Sequence, residues 1–224
     1  MGEILENYDV NEKQKLEVEN YKEIKPEGDG NADEAKIFID DLFDKEIEAE
    51  NEDVENPRQE NVDGKTYYYD DNGKLYRIEN DLVSNTEYEI NGYKYKTDDK
   101  GRIISAEGTL YMKNREGRLP IRDSIEDIGK GDQKEGDDRG HLIGDQFDGS
   151  NGLENMVPQE ANINRNDFKN FENELAREVK DGKDVKVKIE SIYDGDSRRP
   201  EIIIATYSVD CEENVRVFPN GQEE

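Results

Sequence analysis

The 224-residue sequence contains one histidine, one cysteine and no tryptophan. The single cysteine, Cys211, cannot form an internal disulfide, so the fold does not depend on an oxidising compartment. Zinc sites built from paired histidines or cysteines have no ligand set in this sequence. A Ser–His–Asp triad remains formally possible, although the chain has no Gly-x-Ser-x-Gly segment. These scarcities direct attention to the one imidazole, that of His141.

Long hydrophobic runs are also lacking. Hydrophobic residues make up 31% of the chain and charged residues 40%, which predicts a compact core over only part of the length. No segment approaches the ~20 apolar residues that a membrane helix needs, and the N-terminus has no Sec-type signal. We therefore expect a soluble chain without a membrane span.

Basic residues are outnumbered, with 31 Lys and Arg against 58 Asp and Glu and a net charge of -27. That sign argues against a nucleic-acid partner. The imbalance is uneven, because residues 1–60 carry 21 acids and 7 bases, whereas residues 91–122 carry 8 bases and 4 acids. We predict an acidic N-terminal segment or linker over residues 1–60, largely extended or helical, and a folded domain over residues 61–224.

Residues 32–50 of the acidic segment predict a marginal amphipathic helix. The apolar side chains at helical spacing are Ile39, Leu42, Phe43 and Ile47. This helix could dock on a partner or on the rest of the chain, or it could be a solvated part of a linker.

An Asp-Asp-x-Gly turn occurs twice, at residues 70–73 and 98–101. Each copy follows tyrosines and other β-formers and precedes a basic and an apolar residue. A glycine in the left-handed conformation at the end of such a turn is typical of a tight hairpin. We therefore predict two β-hairpins ahead of His141.

A helix is predicted over residues 164–182, followed by a strand pair over residues 184–210. The apolar positions that predict the helix are Phe168, Phe171, Leu175 and Val179. At 100° per residue, Asn164 lies within the apolar stripe and Glu172 on its flank. Either Asn164 caps the helix and Glu172 is a surface acid, or both face a site. This element order predicts an α+β fold.

One histidine can act as a general base near neutral pH if another group supplies electrophilic assistance. A hard divalent cation held by oxygen ligands is the obvious source of that assistance. The sequence around His141 resembles that of a known family. "DRGH" at 138–141, followed by "NMVPQEANINRNDFKNFE" at 155–172, resembles the DNA/RNA non-specific endonuclease family of the ββα-metal (His-Me finger) superfamily.

The resemblance is strong over residues 137–172 and looser over about 86–210, and it extends to versions of this domain at the C-termini of bacterial exported toxins. One departure is Asn166, where the family pattern favours glycine; asparagine tolerates the left-handed backbone that glycine would adopt there.

The resemblance implies a ββα-metal nuclease core with an antiparallel sheet. His141 would be the general base that activates water, and Asn164 would bind Mg²⁺, with Mn²⁺ as a possible substitute. Glu172 would hold water of the ion's hydration shell, and Arg139 would engage phosphate or the transition-state charge. Supporting positions would be Asp138, Asn155 and Gln159.

These roles imply a metal-dependent endonuclease that cuts DNA without reading its sequence, with RNA as a second candidate substrate. Arg198 and Arg199, in a turn between strands, are candidate phosphate contacts, although two solvated turn arginines fit as well. The competing interpretations are an RNA-preferring nuclease and an inactive acidic module that competes with nucleic acid for a basic partner. The toxin resemblance and the lack of a Sec-type signal imply a specialised export route, and the toxin resemblance implies a cognate immunity or inhibitor protein. The sequence of a cytoplasmic or phage-encoded enzyme would look the same.

Overall fold

The computed structural model describes residues 58–221. The helix predicted over residues 32–50 lies outside the described residues. Strand β1 (Arg58–Val62) crosses the boundary predicted between residues 60 and 61, so residues 58–60 belong to the folded unit. In the described range, every helix is too short or too polar to cross a bilayer.

The described strands form three antiparallel sheets. The first contains β1, β2 (Lys65–Tyr69), β3 (Leu75–Ile78) and β4 (Asp81–Leu82) in chain order. The second has the order β12-β11-β10-β7-β6-β5, and its strands are β5 (Glu87–Ile90), β6 (Tyr93–Thr97), β7 (Ile103–Thr109), β10 (Val185–Tyr193), β11 (Pro200–Val209) and β12 (Glu212–Pro219). The third pairs β8 (Asp137–His141) with β9 (Met156–Glu160).

The two Asp-Asp-x-Gly turns fold alike, which confirms the predicted hairpins. Gly73 and Gly101 have φ values of 75° and 71°. In the first turn Asp70 Oδ1 accepts the backbone N–H of Lys74 at 2.8 Å, and in the second Asp98 Oδ1 accepts that of Arg102 at 2.9 Å. The first turn joins β2 to β3 and the second joins β6 to β7, so the same local sequence pattern forms a hairpin turn in each of two sheets.

The predicted helix is present but does not begin as a regular α-helix. Residues Ile163–Phe168 form a π-helix that runs directly into α-helix α2 (Lys169–Lys180). The assumption of 100° per residue from Asn164 was therefore wrong, since a π-helix closes its hydrogen bonds at i→i+5 and turns less per residue. The only other α-helix in residues 58–221, α1 (Ile125–Gly129), was not predicted; it is short and begins with a Ser124–Asp127 capping box.

The core lies between the six-stranded sheet and α2. Phe168 and Phe171 pack against Phe218 with ring centroids 5.0 and 5.6 Å apart, and Leu175 is also buried. Phe218 belongs to β12, an edge strand that was not predicted because its first four residues are all exposed and give no alternating pattern. These contacts fix the helix that carries Glu172 against the sheet.

Candidate active site

The residues that resemble the family motif fold as two strands and a helix. Strands β8 and β9 are antiparallel, and His141 at the end of β8 pairs with Met156 at the start of β9. The chain continues from β9 into the π-helix and then α2. This is the ββα arrangement that the resemblance implied, and it brings the Asp-Arg-Gly-His strand beside the helix that carries Asn164 and Glu172.

His141 is buried, with 7% of its surface exposed. Its Nε2 lies 3.1 Å from Oδ1 of Asn151, in the loop between β8 and β9. Burial lowers the pKa of His141 to about 4; the contact with Asn151 opposes this shift, and nearby Arg118 adds to it. The imidazole is therefore neutral at physiological pH, which is the form that accepts a proton.

Asn164 is held by the neighbouring strand and does not cap the helix. Its Nδ2 donates to Asp138 Oδ2 at 3.0 Å, while the first-turn N–H of Ile163 is accepted by Glu160 at 2.8 Å. Asp138 also accepts two hydrogen bonds from Arg165, at 2.6 and 2.7 Å. Burial raises the pKa of Asp138, but the hydrogen bonds from Arg165 and Asn164 bring it below its usual value. Because Nδ2 is engaged, Oδ1 is the atom that Asn164 can offer to a ligand.

Glu172 is only partly buried as a residue, but its carboxylate turns inward against the loop that follows His141. A Cβ at Gly144 would collide with the Glu172 carboxylate oxygens, so a larger residue at this position would displace that carboxylate. Burial raises the pKa of Glu172 to about 8; Arg118 and a hydrogen bond with Gln146 oppose the rise, and Asp145 adds to it. A carboxylate with so little compensation is a candidate to bind a cation or water.

Arg118 is a site residue that the sequence interpretation missed, since it was counted only within a basic region. It is exposed, and its charge acts on both His141 and Glu172. The loop that carries it is tied to Asp145, which accepts Lys113 Nζ at 2.5 Å and Arg115 Nη2 at 2.6 Å. The loop therefore holds a guanidinium whose charge acts on both the imidazole and the inward carboxylate.

Two of the predicted supporting residues are fully buried around this site. The Asn155 amide accepts the N–H of Ile143 at 2.9 Å and donates to the carbonyls of Ile143 and Ser150 at 2.8 Å, which fixes the loop after His141. Gln159 packs directly on Gly140, where a Cβ would collide with its amide. The glycine of the Asp-Arg-Gly-His segment is thus explained by close packing.

The predicted arginines differ in their settings. Arg139 is exposed, and its Nη1 donates to the Asp123 carbonyl at 3.0 Å. Arg199 is buried and pairs with Asp137 through contacts of 2.7 and 2.9 Å, while Arg198 Nη2 donates to the Lys100 carbonyl at 2.9 Å. The paired guanidinium of Arg199 ties the start of β8 to the six-stranded sheet, so we leave Arg199 out of the proposed substrate surface.

The basic region over residues 91–122 is largely neutralised. Within residues 58–221, six of its eight bases form ion pairs with acids, namely Lys96, Lys100, Arg102, Lys113, Arg115 and Arg122. These paired bases therefore attract phosphate less strongly than their number in the sequence indicated, so they offset the net negative charge less. Two exposed arginines, Arg118 and Arg139, still act on His141 through their charge.

Residues 84–211 match the sequence profile of the DNA/RNA non-specific endonuclease family. This match covers more than half of the chain and contains every residue of the site described above. The chain belongs to the DNA/RNA non-specific endonuclease family. The ββα unit around His141 lies within the matched residues.

Two curated relatives match part of this chain. The chain is 37% identical over 149 residues to the type VII secretion system protein EssD of Staphylococcus aureus strains USA300 and Newman. The match takes in 62% of this chain but only 24% and 23% of the two relatives. The chain thus spans about a quarter of the length of the curated relatives it matches.

The donor set around His141 fits a divalent cation that keeps most of its water. In residues 58–221, no cluster of three or more His, Cys, Asp or Glu side chains is arranged to hold a metal. Asn164 offers one oriented amide oxygen and Glu172 one inward carboxylate, which suits Mg²⁺ better than an ion that needs a full protein cage.

Asn166, the departure from the family pattern, lies within the π-helix and not in a left-handed position, so its backbone needs no glycine.

Proposed function

We propose that this protein is a metal-dependent endonuclease that hydrolyses phosphodiester bonds of DNA and RNA without sequence preference. The observation that carries the proposal is a buried, neutral histidine at the end of β8, beside a helix that presents an oriented amide and an inward carboxylate. Because both nucleic acids carry the same phosphodiester, nothing in this arrangement selects one of them.

His141 accepts the proton of the attacking water. A pKa of about 4 keeps the ring unprotonated at neutral pH, although it makes the ring a weaker base than free imidazole. The water attacks phosphorus in line with the departing 3′ oxygen, which leaves a 5′-phosphate. General-base assistance of this kind contributes roughly 10²–10⁴-fold to the rate.

Asn164 and Glu172 are the residues that would hold the cation. Asn164 would contribute Oδ1, which Asp138 orients by accepting the N–H of the same amide. Glu172 would accept hydrogen bonds from water around the ion. When bound, a divalent cation supplies Lewis-acid stabilisation of negative charge on the phosphate and the leaving oxygen.

Arg118 and Arg139 would bind the scissile phosphate. Both are exposed, and the charge of each acts on His141. Two guanidinium groups neutralise phosphate charge without contacting a base edge, so we expect salt-sensitive binding with little sequence preference. The net charge of -27 repels the phosphate backbone, so we also expect this binding to be weak.

The test is plasmid cleavage followed on a gel with Mg²⁺, with Mg²⁺ plus EDTA, and with a His141→Ala variant, each repeated on RNA. We expect cleavage only by the unmodified protein with free Mg²⁺. Cleavage that persists in EDTA or in His141→Ala would refute the proposed chemistry. If neither DNA nor RNA is cut by the folded protein, the alternative of an acidic binding module stands.

We also propose that the protein is an exported effector. The similarity to a protein of the type VII secretion system supports export by such a route. The expected result is that the protein appears in the culture medium of a bacterium with that system and is retained when the system is inactivated. Equal release from both strains would contradict the export route.

A further inference from the structure

Tyr111 is the only aromatic side chain in residues 58–221 that lies exposed, with 40% of its surface open to solvent. It follows β7, in the segment that leads to Arg118. Its hydroxyl donates to the carbonyl of Asn91 at 2.8 Å, and its ring stacks on buried Tyr93 with centroids 5.6 Å apart and an angle of 10° between the planes. Because one face lies against Tyr93 and the hydroxyl is held, the ring offers its other face to solvent in a fixed orientation.

The stacked pair of tyrosines is bonded to the turn that follows β8. The hydroxyl of Tyr93 donates to the carbonyl of Phe147 at 2.7 Å. Asn91, which holds Tyr111, donates its side-chain amide to the carbonyl of Asp148 at 2.7 Å. These bonds fix the position of the exposed ring relative to the loop that begins at the active site.

The same turn connects Tyr111 to Glu172. Lys113 donates its N–H to the carbonyl of Gln146 at 3.1 Å, and the side chain of Gln146 forms a hydrogen bond with the Glu172 carboxylate. Lys113 is two residues from Tyr111, which an extended chain spans in at most about 7 Å. A nucleic-acid strand whose scissile phosphate lies at the active site would therefore come within reach of the ring after a few nucleotides.

The charges around Tyr111 favour a base over a phosphate as its ligand. Burial raises the pKa of Tyr111 to about 12, and Asp148 and Asp71 add to the rise, so the hydroxyl stays protonated at neutral pH. These two carboxylates would repel a phosphate, although Asp148 is paired with Arg115 at 3.3 Å. A strand would thus lie with its backbone toward the exposed Arg118 and with one base over the ring.

A base can stack on Tyr111 only where one of its faces is free. In an intact duplex both faces of an interior base are covered by its neighbours, and uncovering one costs free energy, least where the base is already unpaired. Every base has a π-face, so stacking on an aromatic ring requires no particular sequence. The exposed ring therefore fits a single strand of any sequence better than a duplex.

We propose that Tyr111 is a stacking site for one unpaired base of a nucleic-acid strand whose scissile phosphate lies at His141, so that the protein binds single strands and unwound stretches more tightly than intact duplex. This inference rests on the proposed function, which supplies the position of the scissile phosphate. It adds to that function a preference for one form of nucleic acid.

The test compares binding to single-stranded and duplex DNA by the full chain carrying His141→Ala, which leaves the strand uncut. The ligands are a fluorescently labelled oligonucleotide and the same oligonucleotide annealed to its complement, each titrated in Mg²⁺ and followed by anisotropy. Tyr111→Leu should raise the Kd for the single strand about tenfold, through the loss of one stacked base, and that for the duplex by less than about twofold. An unchanged Kd for the single strand, or an equal rise for both ligands, would overturn the proposal.

Two further variants separate stacking from a loss of structure. Tyr111→Phe keeps the ring and loses only the bond to Asn91, so its Kd for the single strand should stay within about threefold of the parent value. Tyr69→Leu removes a partly exposed tyrosine of β2, whose ring centroid lies 5.6 Å from the Arg58 guanidinium carbon, and should change neither Kd. A loss in Tyr111→Phe or in Tyr69→Leu as large as that in Tyr111→Leu would contradict a stacking site at Tyr111.

A spectroscopic signal identifies the stacked base directly. The fluorescence of 2-aminopurine is quenched when it stacks on an aromatic ring, so this base is placed at successive positions of a strand of thymidines. We expect quenching on binding at one or two neighbouring positions, retained in Tyr111→Phe and lost in Tyr111→Leu; quenching at no position would overturn the proposal. If the parent binds neither single strand nor duplex, the proposed function itself fails, whereas normal binding that is indifferent to Tyr111 refutes this inference alone.

Discussion

Glu154 and Glu172 both turn their carboxylates inward, but only one of them is matched by opposite charge. The Glu154 carboxylate is enclosed by Arg77, Arg122 and Ser150. That of Glu172 lies against Gly144, with Arg118 as its only compensating charge of note. Burial of an acid therefore does not mark a functional site by itself. An inward acid without a paired cation is the better candidate, because an external cation can replace the proton that burial favours on its carboxyl group.

The largest effect that this comparison predicts is on stability. Glu154→Gln should lower the free energy of unfolding by about 3–5 kcal/mol, because it removes one side of a buried ion pair. Urea denaturation would measure the change. A variant as stable as the unmodified protein would show that the two acids do not differ in this way.

Glu172→Gln should have the opposite profile. We expect cleavage to fall by roughly 10–100-fold, as for other residues that orient the surroundings of a metal, while the metal-free protein loses no stability. Initial rates at saturating Mg²⁺ measure the first effect. The matched control is Glu174→Gln on the same helix, which loses only an exposed pair with Arg216 and should cleave at the normal rate. Equal losses in both variants would mean that Glu172 has no special role.

The pH dependence of stability provides a third test. The pKa of Glu172 is about 8 in the folded protein against 4.5 in the unfolded chain, so the folded state keeps a proton that the unfolded state has lost. The contribution of this group should therefore fall as pH rises from 4.5 to 8, by up to ~1.4 kcal/mol per pH unit. Unfolding of the metal-free protein and of Glu172→Gln at several pH values should show that the variant lacks this decline. Parallel curves would contradict the assignment.

The smallest effect concerns arginines. Arg118→Ala should raise KM about tenfold and reduce the salt dependence of binding by about one charge, since an exposed guanidinium beside the site contacts phosphate. Arg58→Ala, an exposed arginine of the first sheet, should change neither quantity. Binding titrations at several salt concentrations would show the difference, and a salt slope unaltered by Arg118→Ala would remove Arg118 from the substrate surface.

The sequence predicted what short-range chemistry determines. The Asp-Asp-x-Gly hairpins follow from hydrogen bonds between residues four apart or fewer, and the helix after residue 163 follows from its apolar spacing. The resemblance placed Asp138, His141, Asn164 and Glu172 on one ββα unit. Their roles stay predictions until the variants above are measured.

What the sequence could not indicate depends on long-range pairing. Arg77 pairs with Asp123, 46 residues away in sequence, and with Glu154, 77 residues away. Its neighbours in the sequence do not distinguish it from a surface arginine. Arg199 was predicted to contact substrate for the same reason, since its partner Asp137 lies 62 residues away. The π-helix was missed because periodicity alone does not separate it from an α-helix.

The most direct test of the central claim is the cleavage rate of His141→Gly with and without added imidazole. The account predicts that cleavage is lost in the variant and partly restored when imidazole occupies the space left by the ring, and only when Mg²⁺ is present. A His141→Gly protein that cleaves at the normal rate, or that imidazole activates equally well in EDTA, would contradict a single histidine base working beside a bound cation.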